Sequence, residues 1–292
     1  MHKWHILTLA GAALGVVLWR RGAREHDGRS LATRYGPWAI ITGAAREAGI
    51  GYGFARELAA AGINLVLVDV LAEALQARAA ALALAYGVQV KPLALDLGRR
   101  DFLPELQAAT ADLDVGLLVC NHMAAPAGMP AILEMDLAAH HRMLDVNARA
   151  YTMLLHAYGR QMVAQGRGGL VIVASQAALH GTPYTGAYAA NKAFQLMLGE
   201  SLWYELRGSG VDVLVLLPGR TRTDDAAPAG FPRFMLMDVD PVVREALAAL
   251  GRRHLVIPGV VNKLLQFVAN HVMSRRQALL TSGRTMDRWL GK

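Results

Sequence analysis

Cys120 is the chain's single cysteine, which excludes an internal disulfide and fits a reducing compartment. No cysteine–histidine spacing forms a zinc pattern, and His140 and His141, being adjacent, point different ways on a helix; no metal site is expected. No small-x-small cleavage site separates the apolar N-terminal stretch from the arginines behind it, which argues against a removed signal peptide. Internal repeats are lacking. So is any interleaving of arginine with exposed aromatics: the basic residues gather at the two ends. Nucleic acid is therefore not an expected partner despite a net charge of +7. What is abundant is apolar character. With 292 residues, 54% of them hydrophobic, the chain can fill one large core and keep apolar residues to spare.

Part of that surplus lies at the N-terminus. Ile6 to Leu18 is uncharged, flanked by Trp4 and Trp19, and followed by Arg20, Arg21 and Arg24. At ~1.5 Å per residue it is slightly short for a ~30 Å hydrocarbon core, and the tryptophans extend it as interface anchors. Residues 1–21 are expected to form an uncleaved membrane anchor, 22–36 a charged linker, 37–258 one globular domain and 259–292 a basic amphipathic tail. A removed or surface-lying N-terminal segment is the alternative. The heavier positive charge behind the apolar run places the globular domain on the cytoplasmic side.

Strand-like apolar runs then alternate with alanine- and leucine-rich helical segments, the pattern of a parallel sheet covered on both faces. The strands are expected at Trp38–Thr42, Ile63–Asp69, Val88–Leu93, Asp114–Cys120, Gly169–Ala174, Val211–Leu217 and His254–Ile257. Asp240–Pro241 reads as an N-cap with proline at N1, opening a helix towards Leu250. The fold class is α/β: a single doubly wound Rossmann domain with a seven-stranded parallel sheet, preceded by an apolar helix and followed by an amphipathic tail.

Two local patterns carry chemistry. After the first strand comes Gly43-Ala-Ala-Arg46-Glu-Ala-Gly49-Ile50-Gly51-Tyr-Gly53, and a helix opens at once with Phe54, Leu58 and Ala61 on one face. Strand, glycine turn and helix suit a dinucleotide, because the backbone can approach a pyrophosphate and the helix N-terminus offers N–H groups. An ordinary tight turn is the alternative. Further on, Tyr188 and Lys192 stand four apart, so one helix face holds both. A neighbouring ammonium lowers a phenol's pKa from ~10 towards working pH, making it a usable general acid or base. Ser175 lies thirteen positions upstream of Tyr188 at the end of a strand, and Asn147 further back.

Together these residues resemble the short-chain dehydrogenase/reductase family, from about Trp38 to Gly259. Thr42, Gly43, Gly49 and Gly51 match its glycine turn, although five residues rather than three separate Gly43 from Gly49. Asp96 and Leu97 match the adenine-contacting pair, and Pro218-Gly219 with Thr223 the segment that closes over the nicotinamide amide. The resemblance implies a catalytic set in which Tyr188 protonates or deprotonates the substrate oxygen and Ser175 hydrogen-bonds it. Lys192 depresses the tyrosine pKa and contacts the ribose, and Asn147 holds a water near the lysine. It also implies that Arg46, Ile50 and Asn121 lie at the cofactor. One landmark departs: where most members read Asn-Asn-Ala-Gly, this chain reads Cys120-Asn121-His122-Met123, so the nicotinamide ribose pocket is expected to be reshaped.

Asp69 closes the second strand, where a carboxylate accepts hydrogen bonds from ribose hydroxyls and repels an added phosphate, favouring NAD(H). Arg46 and the Arg99–Arg100 pair argue the other way, for NADP(H). The stretch from Ala226 to Met237 corresponds to a substrate lid and is apolar, its methionines adaptable fillers. An apolar lid, an anchor and a basic tail point to a lipophilic small molecule reached from the bilayer, as in the membrane-associated branch of 17β-hydroxysteroid dehydrogenases and 3-oxoacyl reductases. The tail, with apolar residues at helical spacing from Val260 to Val272 and Arg275, Arg276, Arg284, Arg288 and Lys292 behind them, suits an anionic membrane surface, the lid or a second subunit of a homo-oligomer. A cofactor-binding scaffold without turnover is the alternative to an oxidoreductase.

Overall fold

The computed structural model describes residues 30–125, 128, 130–223 and 233–291. The expected membrane anchor, most of the expected linker and residues 226–232 of the expected lid lie outside the described residues. Among the described residues no helix is long and apolar enough to cross a membrane.

Seven parallel strands form the sheet: β1 (Trp38–Thr42), β2 (Asn64–Asp69), β3 (Val90–Ala94), β4 (Val115–Cys120), β5 (Gly168–Val173), β6 (Val211–Leu216) and β7 (Leu255–Val256). Their spatial order is β3-β2-β1-β4-β5-β6-β7. Helices α1 (Leu31–Tyr35), α2 (Ile50–Ala60), α3 (Ala72–Tyr86), α4 (Phe102–Ala109) and α5 (Leu137–Leu144) are followed by a π-turn over Asp145–Arg149. Then come α6 (Ala150–Gln165), α7 (Gly186–Glu205), α8 (Val239–Ala249), α9 (Val260–His271) and α10 (Arg275–Leu290).

The five central strands, β2, β1, β4, β5 and β6, are buried on both faces, which is why their sequences run as continuous apolar blocks rather than alternating. Alternation decides which helix each residue meets. Ala39, Ile41, Leu65, Leu67, Leu117 and Val119 pack with α2, α3 and α8, whereas Ile40, Val66, Leu118, Cys120, Leu170 and Ile172 pack with α4 and α6. Each fully buried Leu, Ile or Val contributes about 1.5–3 kcal/mol. β1 has β2 on one side and β4 on the other, so the chain's winding reverses there. The crevice beyond the carboxyl ends of β1 and β4 is where an open α/β sheet binds a ligand.

Most strand ends shift by a residue or two from the sequence reading, and two differences, one at a strand and one at a helix, have a clear physical reason. β3 starts at Val90, not Val88, because α3 persists to Tyr86 and ends on left-handed Gly87. The helix expected to be capped by Asp240 begins at Val239 with Asp238 at the N-cap. Asp240 instead pairs with Arg56 of α2, while Val239 and Val243 pack against Gly53 of the same helix.

Candidate active site

The site is built from strand ends. Thr42, the last residue of β1, is fully buried, and its hydroxyl joins β1 to β4 through the Val119 carbonyl at 3.1 Å, the Asn121 N–H at 3.0 Å and His122 Nδ1 at 2.8 Å. Gly43 follows with φ +69, and its carbonyl accepts from Asn121 Nδ2 at 3.0 Å across the switch point. Gly49 caps α2 without any side-chain hydrogen bond, leaving the helix N-terminus open. Asp69, at the end of β2, accepts from the backbone N–H groups of Ala45 at 3.0 Å, Val70 at 2.8 Å and Leu71 at 3.2 Å. Its carboxylate is thus fixed beside the glycine turn.

The second half of the site hangs on β5 and α7. Ser175, just beyond β5, accepts from the Ala177 N–H, and its hydroxyl stands near enough to the Tyr188 phenol to oppose the effect of burial on it. Lys192, buried, donates to the Val173 carbonyl at 2.8 Å and to Gln195 Oε1 at 3.0 Å, with its ammonium 5.8 Å from the centre of the Tyr188 ring. Asn147 sits in the π-turn, a wide turn that often marks functional positions. Its amide clamps the loop after β4, accepting from the Ala124 N–H at 2.8 Å and donating to the Ala124 carbonyl at 2.7 Å. Asn147, Ser175, Tyr188 and Lys192 therefore converge, as do Thr42, Gly43, Gly49, Gly51, Asp69 and Asn121 around the glycine turn.

The electrostatics differ from the sequence reading in one respect. Burial holds the Tyr188 phenol above its ordinary pKa, and the opposing influences are Ser175 and the charge of Arg220 rather than Lys192. Burial also pushes Lys192 down to about 7, because its partners are two neutral oxygens and no carboxylate.

Other expected cofactor residues are placed less directly. Asp96 is held in a bidentate pair by Arg142 of α5, at 2.7 and 3.0 Å, and also accepts from the Gly98 N–H. The Arg142 hydrogen bond lowers its pKa first. Its neighbour Leu97 is buried, whereas Arg46 stands exposed on the glycine turn next to half-buried Ile50. Arg99 is engaged with Asp101 and Glu105. Pro218 ties the loops after β5 and β6 together by accepting from the Gln176 N–H at 3.1 Å, and Gly219 and Thr223 follow on that loop.

His122 does not crowd the crevice. Its ring turns inward, 4.4 Å from the Tyr151 ring, with Nδ1 on Thr42 and Nε2 towards the Val146 carbonyl without a formed hydrogen bond. Met123 is the residue that faces outward, 49% exposed. Burial, then the nearby Lys192 charge, push His122 down to about 3. The unfolded chain therefore takes up a proton below pH 6.5 that the native chain refuses until about 3, so stability is lost as pH falls through that window. Lys192 acts likewise between 10.5 and about 7. Denaturant titrations from pH 6.5 to 4.5 are expected to show the loss, at most about 1.4 kcal/mol per pH unit from this group. His122→Ala should flatten the slope although it lowers stability overall; an unchanged slope rules out His122 as its source.

A family model described as short chain dehydrogenase matches residues 37–230. The chain belongs to the short-chain dehydrogenase/reductase family. It is a short-chain dehydrogenase/reductase enzyme. A 7beta-hydroxysteroid dehydrogenase of Collinsella aerofaciens is 32% identical over 251 residues, 83% of this chain and 94% of that protein. A solved 7beta-hydroxysteroid dehydrogenase superposes with a TM-score of 0.81 at 29% identity, covering 87% of this chain and 99% of the other. An inactive hydroxysteroid dehydrogenase-like protein 1 of Mus musculus is 33% identical over 203 residues, 69% of this chain and 61% of that protein.

Short-chain dehydrogenases bind NAD(P), and this chain's residues fit it. The turn is compressed to the point that a Cβ at Gly51 would lie 2.2 Å from the Gly43 carbonyl oxygen, the α2 N-terminus is open, and a fixed carboxylate stands at the end of β2. Sequence reading overlooked Gln195 in this dehydrogenase, whose amide joins Lys192 to the Asn147 carbonyl. The available signal was a lone amide in the apolar run Ala193-Phe-Gln-Leu-Met-Leu198, about one turn past Lys192. Arg142 and Arg220 were overlooked too, since arginine spacing says nothing about which strand end a guanidinium reaches.

Proposed function

We propose that the enzyme interconverts a carbonyl and a secondary alcohol on a bulky, lipophilic, steroid-like substrate, with NAD(H) as the favoured partner and Tyr188 as general acid/base. The observation that carries this reading is the convergence of Ser175, Tyr188 and Lys192 at one crevice. The nicotinamide, when bound, supplies or accepts the hydride. Tyr188 exchanges a proton with the substrate oxygen, Ser175 donates a hydrogen bond to it, and Lys192, held by Val173 and Gln195, is placed to meet the ribose. Gly43, Arg46, Gly49, Ile50 and Gly51 hold the phosphates on a turn that buried Thr42 fixes from beneath, and Asp96 and Leu97 border the adenine. Asn121, Pro218, Gly219 and Thr223 frame the nicotinamide end. Asp69, next to the adenosine ribose, disfavours an added phosphate; Arg46 is the residue that would accept one.

The hydroxysteroid dehydrogenases among its relatives support a steroid over a 3-oxoacyl thioester. The test is nicotinamide absorbance with 7-oxo and 7β-hydroxy steroids and with 3-oxoacyl thioesters, each with NAD(H) and NADP(H). Steroid turnover with a preference for NAD(H) is expected; turnover of thioesters alone overturns the substrate assignment. A cofactor-binding scaffold without turnover is the second reading, favoured by the altered Cys120–Met123 landmark and by the inactive mouse relative. Cofactor binding with silence across the panel would establish it.

Membrane contact belongs to the same reading. α9 is inside out: Asn262 and Gln266 are buried, whereas Val260, 80% exposed, Leu264 and Phe267 face outward, as does Val272 just past its end. Arg275, Arg276, Arg284 and Arg288 are exposed on α10. Such a surface suits an anionic bilayer that dissolves the substrate. Cosedimentation of residues 30–292 with phosphatidylglycerol vesicles, and not with phosphatidylcholine vesicles, is expected to weaken severalfold in Leu264→Glu. Equal recovery with both lipids would refute the electrostatic part.

A further inference from the structure

We propose that Gln195 is a positioning residue for this reaction: its buried amide fixes the Lys192 ammonium against the Asn147 turn, joining the two groups through protein. The proposal rests on the dehydrogenase reading of the site above. Gln195 lies on α7 one turn beyond Lys192 and is 0% exposed. Its Oε1 accepts from Lys192 Nζ at 3.0 Å, and its Nε2 donates to the Asn147 carbonyl at 2.8 Å. The two ends of the amide face opposite demands, a cationic donor and a carbonyl acceptor. Reversing the amide would set donor against donor and acceptor against acceptor, so only one orientation satisfies both.

The consequence for Lys192 is geometric. An ammonium has three N–H donors. One goes to the Val173 carbonyl at the end of β5 and one to Gln195, so both anchors together dictate where the third points. That third donor is the one left to meet a ribose hydroxyl and the Tyr188 side of the site. Asn147 is itself clamped to Ala124, so Gln195 ties the catalytic helix to a fixed point on the loop after β4. An amide neither gains nor loses a proton near neutrality. Gln195 therefore orients the lysine and carries no proton of its own, and the Asn147 carbonyl serves as an anchor for the amide. An apolar residue here would leave a lysine N–H and a carbonyl unpaired in a dry interior, which is costly.

The charged and titratable groups facing this cluster come from several elements. Tyr188 stands on the same helix, His122 lies on the loop after β4, and Arg220 on the loop after β6 acts on Tyr188. No carboxylate from these elements hydrogen-bonds Lys192 among the described residues, so changes at 195 should be read directly in its titration.

The full chain has five lysines, Lys3, Lys91, Lys192, Lys263 and Lys292, few enough for each Cε to be followed by NMR after 13C-lysine labelling, with Lys192→Met assigning the signal. Gln195→Met keeps the length of the side chain and removes the hydrogen bonds; Gln195→Glu keeps an acceptor and adds a charge. The Lys192 midpoint is expected to fall by about one pH unit in the first and to rise in the second. With a steroid substrate, kcat of Gln195→Met is expected to drop about tenfold with KM within twofold. A purely structural role would give no opposed shifts. Lys192 midpoints unmoved in both variants, with Tyr188→Phe still inactive, would overturn the proposal and leave the dehydrogenase reading standing. Undiminished turnover in Tyr188→Phe would remove that reading and this proposal with it.

Discussion

Tyr188→Phe is expected to lower kcat about a thousandfold while nicotinamide binding stays within a few-fold of the parent. The substitution removes one oxygen and keeps the ring, so α7 retains its packing and Lys192 its bonds to Val173 and Gln195. What disappears is the phenol beside Ser175, whose ring centre lies 5.8 Å from the Lys192 ammonium. The direction of the pKa shift adds a second signature. Burial keeps the phenol protonated through neutral pH in the cofactor-free chain, the state needed to give a proton to a developing alkoxide. Carbonyl reduction should therefore be well supported at neutral pH, and alcohol oxidation, which needs the phenolate, should rise with pH. Rates in both directions from pH 6 to 10, with Kd for NADH by fluorescence, check both points. A Phe variant with undiminished turnover would place the proton route elsewhere.

Much of this site could be read from residue order, because its geometry is local or tied to strand ends. Tyr188 and Lys192 share a face by helical periodicity alone, and the glycine turn must follow β1 directly. The buried strands announced themselves as apolar blocks such as Leu65 to Val68. Other features depend on packing between distant segments. Asp240 resembles an N-cap in isolation, yet Arg56 draws it into an ion pair and Asp238 takes the cap position. Lys192 was expected to set the Tyr188 pKa; burial of both groups, with Arg220 arriving from another strand end, changes which charge matters. His122 looked like an intrusion into the crevice, but Tyr151 and Thr42 offer it an inward pocket. The amphipathic pattern of α9 was legible, but not that its polar side would be the buried one. Gln266 bonds Asn270 one turn on and reaches His180 from a distant loop, and the latter contact leaves no periodicity signal.

Gly51→Ala is expected to destabilise the protein by about 3 kcal/mol and to weaken nicotinamide binding more than tenfold. A Cβ at Gly51 would lie 2.2 Å from the Gly43 carbonyl oxygen and 2.6 Å from Asn121 Nδ2. Neither neighbour can give way cheaply. The Gly43 N–H is held by the Val68 carbonyl at 2.8 Å, its carbonyl by Asn121, and Asn121 by the Thr42 hydroxyl at the end of β1. Relief of the clash must therefore push the first turn of α2 away from the strand ends, moving the N–H groups proposed to receive the phosphates. Stability and binding fall together because one contact sets both. Ala48→Gly provides the contrast: it loosens the same turn without adding an atom, and its cost should be limited to about 1 kcal/mol of chain entropy. Thermal denaturation with and without NADH separates the two effects. If Gly51→Ala kept full ligand-induced stabilisation, the closeness of Gly51 to Gly43 would matter only for packing, and the pyrophosphate would have to sit away from the α2 N-terminus.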